Sequence, residues 1–359
     1  MEQTLTIKLK LYNPTQAKRE MYQTMADRTT SFANRYLSLD KKERPKTSKD
    51  ATKISEKLPS CVLCHAIRDI RAKKKVRRFK RLWPSFSYQN FRVEKETSQS
   101  GGAVWKASFP TLEKRVGVPI VVQSYQEKYL EMLLSGQAKQ GSAKLVKSGK
   151  DWYILLSLTI SVKEKQGEKI MGVDLGQIDL LVASVSGQAL FFSGKELAYT
   201  RRRCAELRYR LQKAGAYRAL ARLGDKEHRW VTDANHKISR ALIDFAVAHG
   251  VTKIRLEDLT GTRWTKQQRK ERRRDHGRCL HYWPYYHLRQ FIEYKAALAG
   301  IRVELANPDL TTLTCSRCGE VIRSRPKGRW FRCPRCKKIK HIDVNGADNI
   351  AQAISGFAV

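Results

Sequence analysis

Three widely separated acidic residues, with four cysteines set just before the last of them, limit what this chain can fold into. Asp174 lies in Ile170-Met-Gly-Val-Asp174-Leu-Gly176, Glu257 in Val251-Thr-Lys-Ile-Arg-Leu-Glu257-Asp-Leu259, and Asp343 in His341-Ile-Asp343-Val-Asn345. Each sits among apolar neighbours, which predicts three core strands with one carboxylate apiece. Distant carboxylates that converge on one point make a cage of hard oxygen ligands, the donor set that Mg²⁺ takes alongside water and substrate phosphate. Two such ions about 3.5–4 Å apart can activate water and stabilise the leaving oxygen of a phosphodiester. The three acids are therefore the candidate catalytic residues, and two Mg²⁺ the candidate cofactor.

The cysteines carry a sharper signal. Cys315-Ser-Arg-Cys318 and Cys333-Pro-Arg-Cys336 are two CxxC knuckles separated by 14 residues. That is zinc-ribbon spacing, and four thiolates fill a tetrahedral shell, so the pattern predicts one structural Zn²⁺. The other cysteines, Cys61, Cys64, Cys204 and Cys279, suggest no disulfide framework, which favours a reducing cytoplasm. Cys61-Val-Leu-Cys64-His65 has the form of a haem attachment motif, but it lies inside an apolar helical stretch and reads as a buried helix face.

Charge indicates the partner. Lys and Arg total 71 against 34 Asp and Glu, a net +37 with a pI near 10.1. The excess runs through the whole chain, as expected for a partner that is a nucleic acid. No apolar stretch approaches the ~20 residues of a membrane span.

Along the chain, Leu5, Ile7, Leu9 and Leu11 alternate with polar residues as in a half-buried strand. Thr15 caps a helix running to about Leu37, and 40–57 reads as a loop. Pro59 and Ser60 open a second helix, predicted to last until Pro84. Its second half, Arg71 to Arg81, holds eight basic residues in eleven, and Lys73, Lys74, Lys75, Arg77, Arg78, Lys80 and Arg81 are candidate phosphate contacts. Short strand-like runs follow (103–109, 118–123, 143–147, 151–160), a spacing that suggests a small barrel closed by the N-terminal strand. Residues 162–169 read as a linker. From Ile170, a meander (170–174, 180–186, 189–193) turns at Ser186-Gly187. Helices over 196–223 and 226–248, the Glu257 strand, a helix over 285–300 and a strand at 302–305 complete the pattern of an RNase H-like α/β core. Asp258 should point away from Glu257 and serve as a salt-bridge or capping residue. Asp233, His236 and Lys237 share a helix face, either as a local ion pair or beside a bound strand. Trp83, Trp264 and Trp330 lie in basic stretches and could stack on bases. Arg272, Arg273 and Arg274 lie in the basic segment 263–278.

These residues together resemble the TnpB family, transposon-associated RNA-guided nucleases related to small type V CRISPR effectors. Gly172-Val-Asp174-Leu-Gly176 looks like the first RuvC motif, Leu256-Glu257-Asp258-Leu259 the second, and Asp343-Val-Asn345-x-Ala347-x-Asn349-Ile350 the third. Asp233-Ala-Asn-His236-Lys237 is similar to the family's helical segment, and Cys315-Ser-Arg-Cys318-Gly319 follows the family order. Thr311-Thr312 departs from the usual Thr-Ser. The resemblance implies an α/β plus β-barrel architecture: a wedge-type barrel from 1–13 and 85–165, a helical recognition insertion at 14–84, and a RuvC nuclease from 166–310 and 341–359 with a Cys₄ zinc ribbon at 311–340. It implies a noncoding guide RNA and target double-stranded DNA as partners. Two rivals remain: a DDE-type transposase, disfavoured by the ribbon between the second and third acids, and a regulator that binds without cutting, disfavoured by the presence of all three acids.

Overall fold

The computed structural model describes residues 1–73, 75–97, 103–176, 178–258, 285–307, 311–324, 326 and 328–353. Lys74, Trp264 and Arg272–Arg274 lie outside the described residues. The chain divides into one unit of Glu2–Ser161 and a second of Met1 with Val162–Val359.

In the first unit, β1 (Glu2–Leu11) alternates as its sequence predicts, with Ile7, Leu9 and Leu11 buried. It lies inside a seven-stranded sheet, between β7 (Asp151–Ser161) and β5 (Arg115–Val121). The sheet continues through β6 (Ala138–Ser148) to β2 (Ser85–Phe86) on one side, and through β4 (Ala103–Pro110) to β3 (Arg92–Thr97) on the other. The sequence reading misses β3, whose face is mostly exposed and polar, and α4 (Ser124–Leu134).

The helices α1 (Gln16–Ser38), α2 (Ser48–Ala51) and α3 (Ser60–Ala72) are inserted between β1 and β2. On α1, Tyr22, Met25, Ala26, Thr29, Phe32, Ala33 and Tyr36 are buried, the i, i+3, i+4 stripe of an amphipathic helix. The predicted single helix from Ser60 to Pro84 is corrected: it stops at Ala72, and Lys73 leaves the helical region at φ −100°, ψ 64°. Like charges three and four apart oppose continuation, and α1 offers the following segment other partners. Asn34 accepts from the Phe79 amide at 2.8 Å and donates to its carbonyl at 3.1 Å. Thr30 Oγ1 bonds both polar groups of Leu82. Phe79 and Leu82 are buried residues of this non-helical basic segment.

The second unit holds a five-stranded sheet in the order β10-β9-β8-β11-β12. Strands β8 (Ile170–Asp174), β9 (Asp179–Val185) and β10 (Gln188–Ser193) form the predicted antiparallel meander. Its turn has φ 48° at Ser186 and 83° at Gly187, both in the left-handed region that a tight hairpin favours. Strands β11 (Lys253–Glu257) and β12 (Arg302–Ala306) add in parallel to β8. The predicted helical pair is three helices, α5 (Lys195–Lys213), α6 (Tyr217–Leu223) and α7 (Lys226–Ala248), because Gly215 turns the chain at φ 62°. A helix α8 (Tyr285–Leu298) precedes β12. Strands β13 (Trp330–Arg332) and β14 (Ile339–His341) form a hairpin that leads into the helix α9 (Ile342–Gln352). No helix among the described residues is long and apolar enough to cross a membrane.

Candidate functional site

Sheet register brings the first two acids together. Leu256 on β11 is the partner of Val173 on the parallel β8, so Glu257 and Asp174 end adjacent strands side by side. Ligands of open α/β sheets gather at such carboxyl ends. Asp174 is 7% exposed, and Glu257 is partly buried. Burial, and then the Asp174 carboxylate, push the Glu257 carboxyl up to about 8. Tyr285, at the start of α8, shares this environment. Its phenol is pushed up to about 12 by burial and by the Glu257 and Asp174 charges, and its hydroxyl donates to Gly176 O at 2.9 Å. A Glu257 carboxyl that resists ionisation beside a second carboxylate fits a divalent cation, which would lower that cost with the oxygen donors it prefers.

Asp343 departs from expectation. It is not on a strand but in the first turn of α9, where a negative charge complements the helix dipole. The apolar positions Ile342, Ala347 and Ile350 bury one face of that helix, a period the short sequence run did not reveal. Gly172 and Gly346 let α9 approach β8. A methyl at Gly172 would run into the Ala347 carbonyl, and one at Gly346 would stand 2.9 Å from Asp174 Oδ2. Asp343 is three residues before Gly346, hence on the same side of the helix. Its carboxylate, however, groups within 4.8 Å with Asp179 and His341. The Arg329 guanidinium pairs with Asp179 and stands 3.5 Å from Asp343 Oδ2. Among the described residues, Asp174, Glu257 and Asp343 are thus not one three-carboxylate cluster of that size. Asp179, Arg329 and His341 escape sequence reading. Only the β13–β14 register, which pairs Trp330 with His341, brings Arg329 beside Asp343.

The cysteines meet as their spacing predicts. Cys315 Sγ and Cys336 Sγ are 3.6 Å apart, Cys318 Sγ and Cys333 Sγ 3.5 Å, and all four lie within 4.8 Å of one another. A tetrahedron with Zn–S near 2.3 Å has edges of roughly 3.8 Å, whereas a disulfide needs about 2.05 Å. The residues fit zinc. The two knuckles repeat one turn. Gly319 donates to Cys315 O and Lys337 to Cys333 O, while Cys315 and Cys333 donate to the carbonyls of Glu320 and Lys338. Residues Gly319 and Lys337 both take positive φ, 74° and 58°.

The proposed nucleic-acid residues are dispersed. Lys73 and Arg77 line a cavity of about 590 Å³ with Tyr36, Lys41, Arg44 and Arg71; among the described residues its lining holds five cations and no carboxylate. Lys75, Arg78 and Lys80 are exposed. Arg81 pairs with Asp27 and lies 5.2 Å from the Trp83 ring. Trp83 itself packs edge-on against Trp152, whereas Trp330 is 65% exposed. On α7, Lys237 forms the local ion pair with Asp233 at 2.7 Å, and His236 stacks on Phe291 at 4.0 Å between ring centres. Asp258 pairs with Arg289 at 3.6 Å, as its parity suggests.

Two family models match the chain, one described as "Cas12f1-like, TNB domain" over residues 285–350 and one as "Probable transposase" over residues 153–263. The CRISPR-associated endodeoxyribonuclease Cas12f1 of Sulfoacidibacillus thermotolerans is 29% identical over 262 residues, which cover 67% of this chain and 60% of that protein. A TnpB-like protein of Methanocaldococcus jannaschii is 29% identical over 249 residues, 66% of this chain and 86% of that protein. In overall fold the chain matches the cryo-EM structure of a Cas12f1–sgRNA–target DNA complex. The TM-score is 0.68 at 15% identity, covering 94% of this chain and 83% of the other.

Proposed function

We propose that this chain, a relative of the TnpB-like and Cas12f1 proteins, is an RNA-guided DNA endonuclease whose metal site is assembled from Asp174, Glu257 and Asp343. The observation that carries the reading is the pairing of Asp174 with Glu257 at the ends of two parallel strands, with α9, the helix that starts at Ile342-Asp343, packed on the first of them through Gly346 and Ala347. Divalent ions bound there would supply an activated water and a Lewis acid for the leaving oxygen. The chain's own part is positional. Burial of Asp174 and partial burial of Glu257 keep a proton on the Glu257 carboxyl that a cation would displace. Arg329, beside Asp343, offers a guanidinium, a group suited to bidentate bonds with phosphate. Tyr285, held on Gly176 O, fixes the turn after β8. The cysteines would hold one structural zinc. Guide RNA and target would lie on the basic surfaces, the guide pairing carrying sequence information and the protein reading backbone and a short flanking motif.

The test strips nucleic acid from the purified protein and supplies Mg²⁺ with target DNA and a matched guide, a scrambled guide or none. Cutting with the matched guide alone supports the reading. Equal cutting in all three arms would favour a transposase-like enzyme, and binding without cutting a regulator.

A further inference from the structure

Helix α9 has two working faces. One lies on β8 through Gly346 and Ala347 and carries Asp343 at its start. The other is a row of polar side chains, Asn345, Asp348, Asn349 and Gln352, aimed at the first cysteine knuckle. Asn345 is 1% exposed. Its Oδ1 accepts from the Ser316 amide at 2.9 Å, and its Nδ2 donates to the Thr314 carbonyl at 2.7 Å. One carboxamide thereby grips the peptide groups on both sides of Cys315. Asn349 Nδ2 donates to the carbonyls of Thr311 and Thr314, both at 2.6 Å. Asp348 accepts from Ser316 Oγ at 3.2 Å and from Ser184 Oγ of β9 at 2.6 Å, tying knuckle, helix and sheet together. A helix needs no such bonds for its own backbone, and a zinc ribbon folds on its own ligands. The brackets therefore serve the relation between the two.

We propose that Asn345 is a positioning residue, bolting α9 to the backbone around Cys315 so that zinc occupancy fixes where Asp343 stands and sets the affinity of the acid site for Mg²⁺. The proposal rests on the reading that Asp174, Glu257 and Asp343 hold that ion. Its physical basis is that groups orienting metal ligands tune the metal: losing such a partner typically weakens binding about 10–100-fold. Asn345 acts through the helix on Asp343, and zinc acts through Cys315 on Asn345. The two perturbations should then be coupled rather than independent.

The experiment is calorimetric titration of Mg²⁺ into the full-length protein, with zinc content and thermal unfolding followed in parallel. Asn345→Ala should keep its zinc, since all four cysteines remain, and unfold cooperatively, yet bind Mg²⁺ about tenfold or more weakly. Cleavage should recover at saturating Mg²⁺, which a generally damaged fold would not do. Asn345→Asp keeps the acceptor for Ser316 but sets a carboxylate oxygen against the Thr314 carbonyl, so it should weaken Mg²⁺ binding at least as much as alanine does. It also decides the matter should the alanine variant fail to fold. Zinc removal from the wild type should weaken Mg²⁺ binding to the same degree, and zinc removal from Asn345→Ala should add little. Unchanged Mg²⁺ affinity in zinc-loaded Asn345→Ala or Asn345→Asp overturns the proposal, as does full additivity of the two perturbations. Asp174→Asn in the same titration separates the premise from the proposal. Wild-type Mg²⁺ binding by that variant would sink the site assignment itself, whatever Asn345 does.

Discussion

At the four cysteines the ligand atoms stand 3.5–3.6 Å apart in pairs, held by two copies of one backbone turn. At Asp174 and Glu257 the ligands come from strands far apart in sequence, and burial, followed by the neighbouring Asp174 charge, pushes the Glu257 carboxyl up to about 8. The first site is a local fold that a metal completes. The second is a strained pair that the rest of the sheet compels. The zinc module should thus govern stability, and the acid pair should oppose it while serving chemistry.

The largest effect that could break this contrast is catalytic. Asp174→Ala should lower Mg²⁺-dependent cleavage about a thousandfold or more, the several kcal/mol expected of a lost metal ligand, with target binding preserved. Retained cleavage would remove Asp174 from the site. Next comes Gly172→Ala, where the new methyl meets the Ala347 carbonyl and forces α9 off β8. Overpacking of that kind should cost about 3 kcal/mol in denaturant unfolding. A cost near zero would mean that α9 can withdraw without loss.

Gly346→Ala sharpens the comparison by separating stability from function. Alanine favours a helix over glycine by about 1 kcal/mol, but the methyl would crowd Asp174 Oδ2 at 2.9 Å. Thermal stability should hold or rise while Mg²⁺ affinity falls about tenfold, a shift of ~1.4 kcal/mol. Equal Mg²⁺ binding would show that the glycine serves only packing. The smallest effect belongs to the zinc side. Lys337 adopts φ 58° where the matching position of the other knuckle is Gly319. Lys337→Gly should therefore stabilise the zinc-loaded protein by about 1 kcal/mol, measured as a shift in unfolding midpoint.

What the sequence made legible follows the same division. Cysteine spacing alone predicted a cluster that the fold assembles, because both knuckles are short-range turns. Strand assignment placed Asp174 and Glu257 on β8 and β11, since alternation at Ile254 and Leu256 and the apolar run before Asp174 are local signals. The helical setting of Asp343 was not legible, because a run of five residues reads equally as strand or as the first turn of a helix. Arg329 and Asp179 were hidden for a different reason: what brings them to Asp343 is hairpin register and sheet order, and no neighbouring residue announces either. The non-helical course of residues 75–84 is concealed by helix-favouring lysines and arginines, and only the Asn34 and Thr30 bonds reveal what displaces the helix.

The most direct test of the acid pair as a metal site is its proton linkage. Burial and the Asp174 charge push the Glu257 carboxyl from its ordinary 4.5 up to about 8. Between those values the folded ion-free protein keeps a proton that the unfolded chain has lost. Its stability should accordingly fall as pH rises from 4.5 to 8, by at most about 1.4 kcal/mol per pH unit, and level off above. A bound cation must displace that proton. Mg²⁺ titrated calorimetrically at pH 7 in two buffers of different ionisation enthalpy should release close to one proton per site, with affinity rising toward pH 8. Glu257→Gln should abolish both the release and the pH dependence while the protein stays folded. Mg²⁺ binding of equal strength in Glu257→Gln, or binding with no proton released by the wild type, would contradict the account.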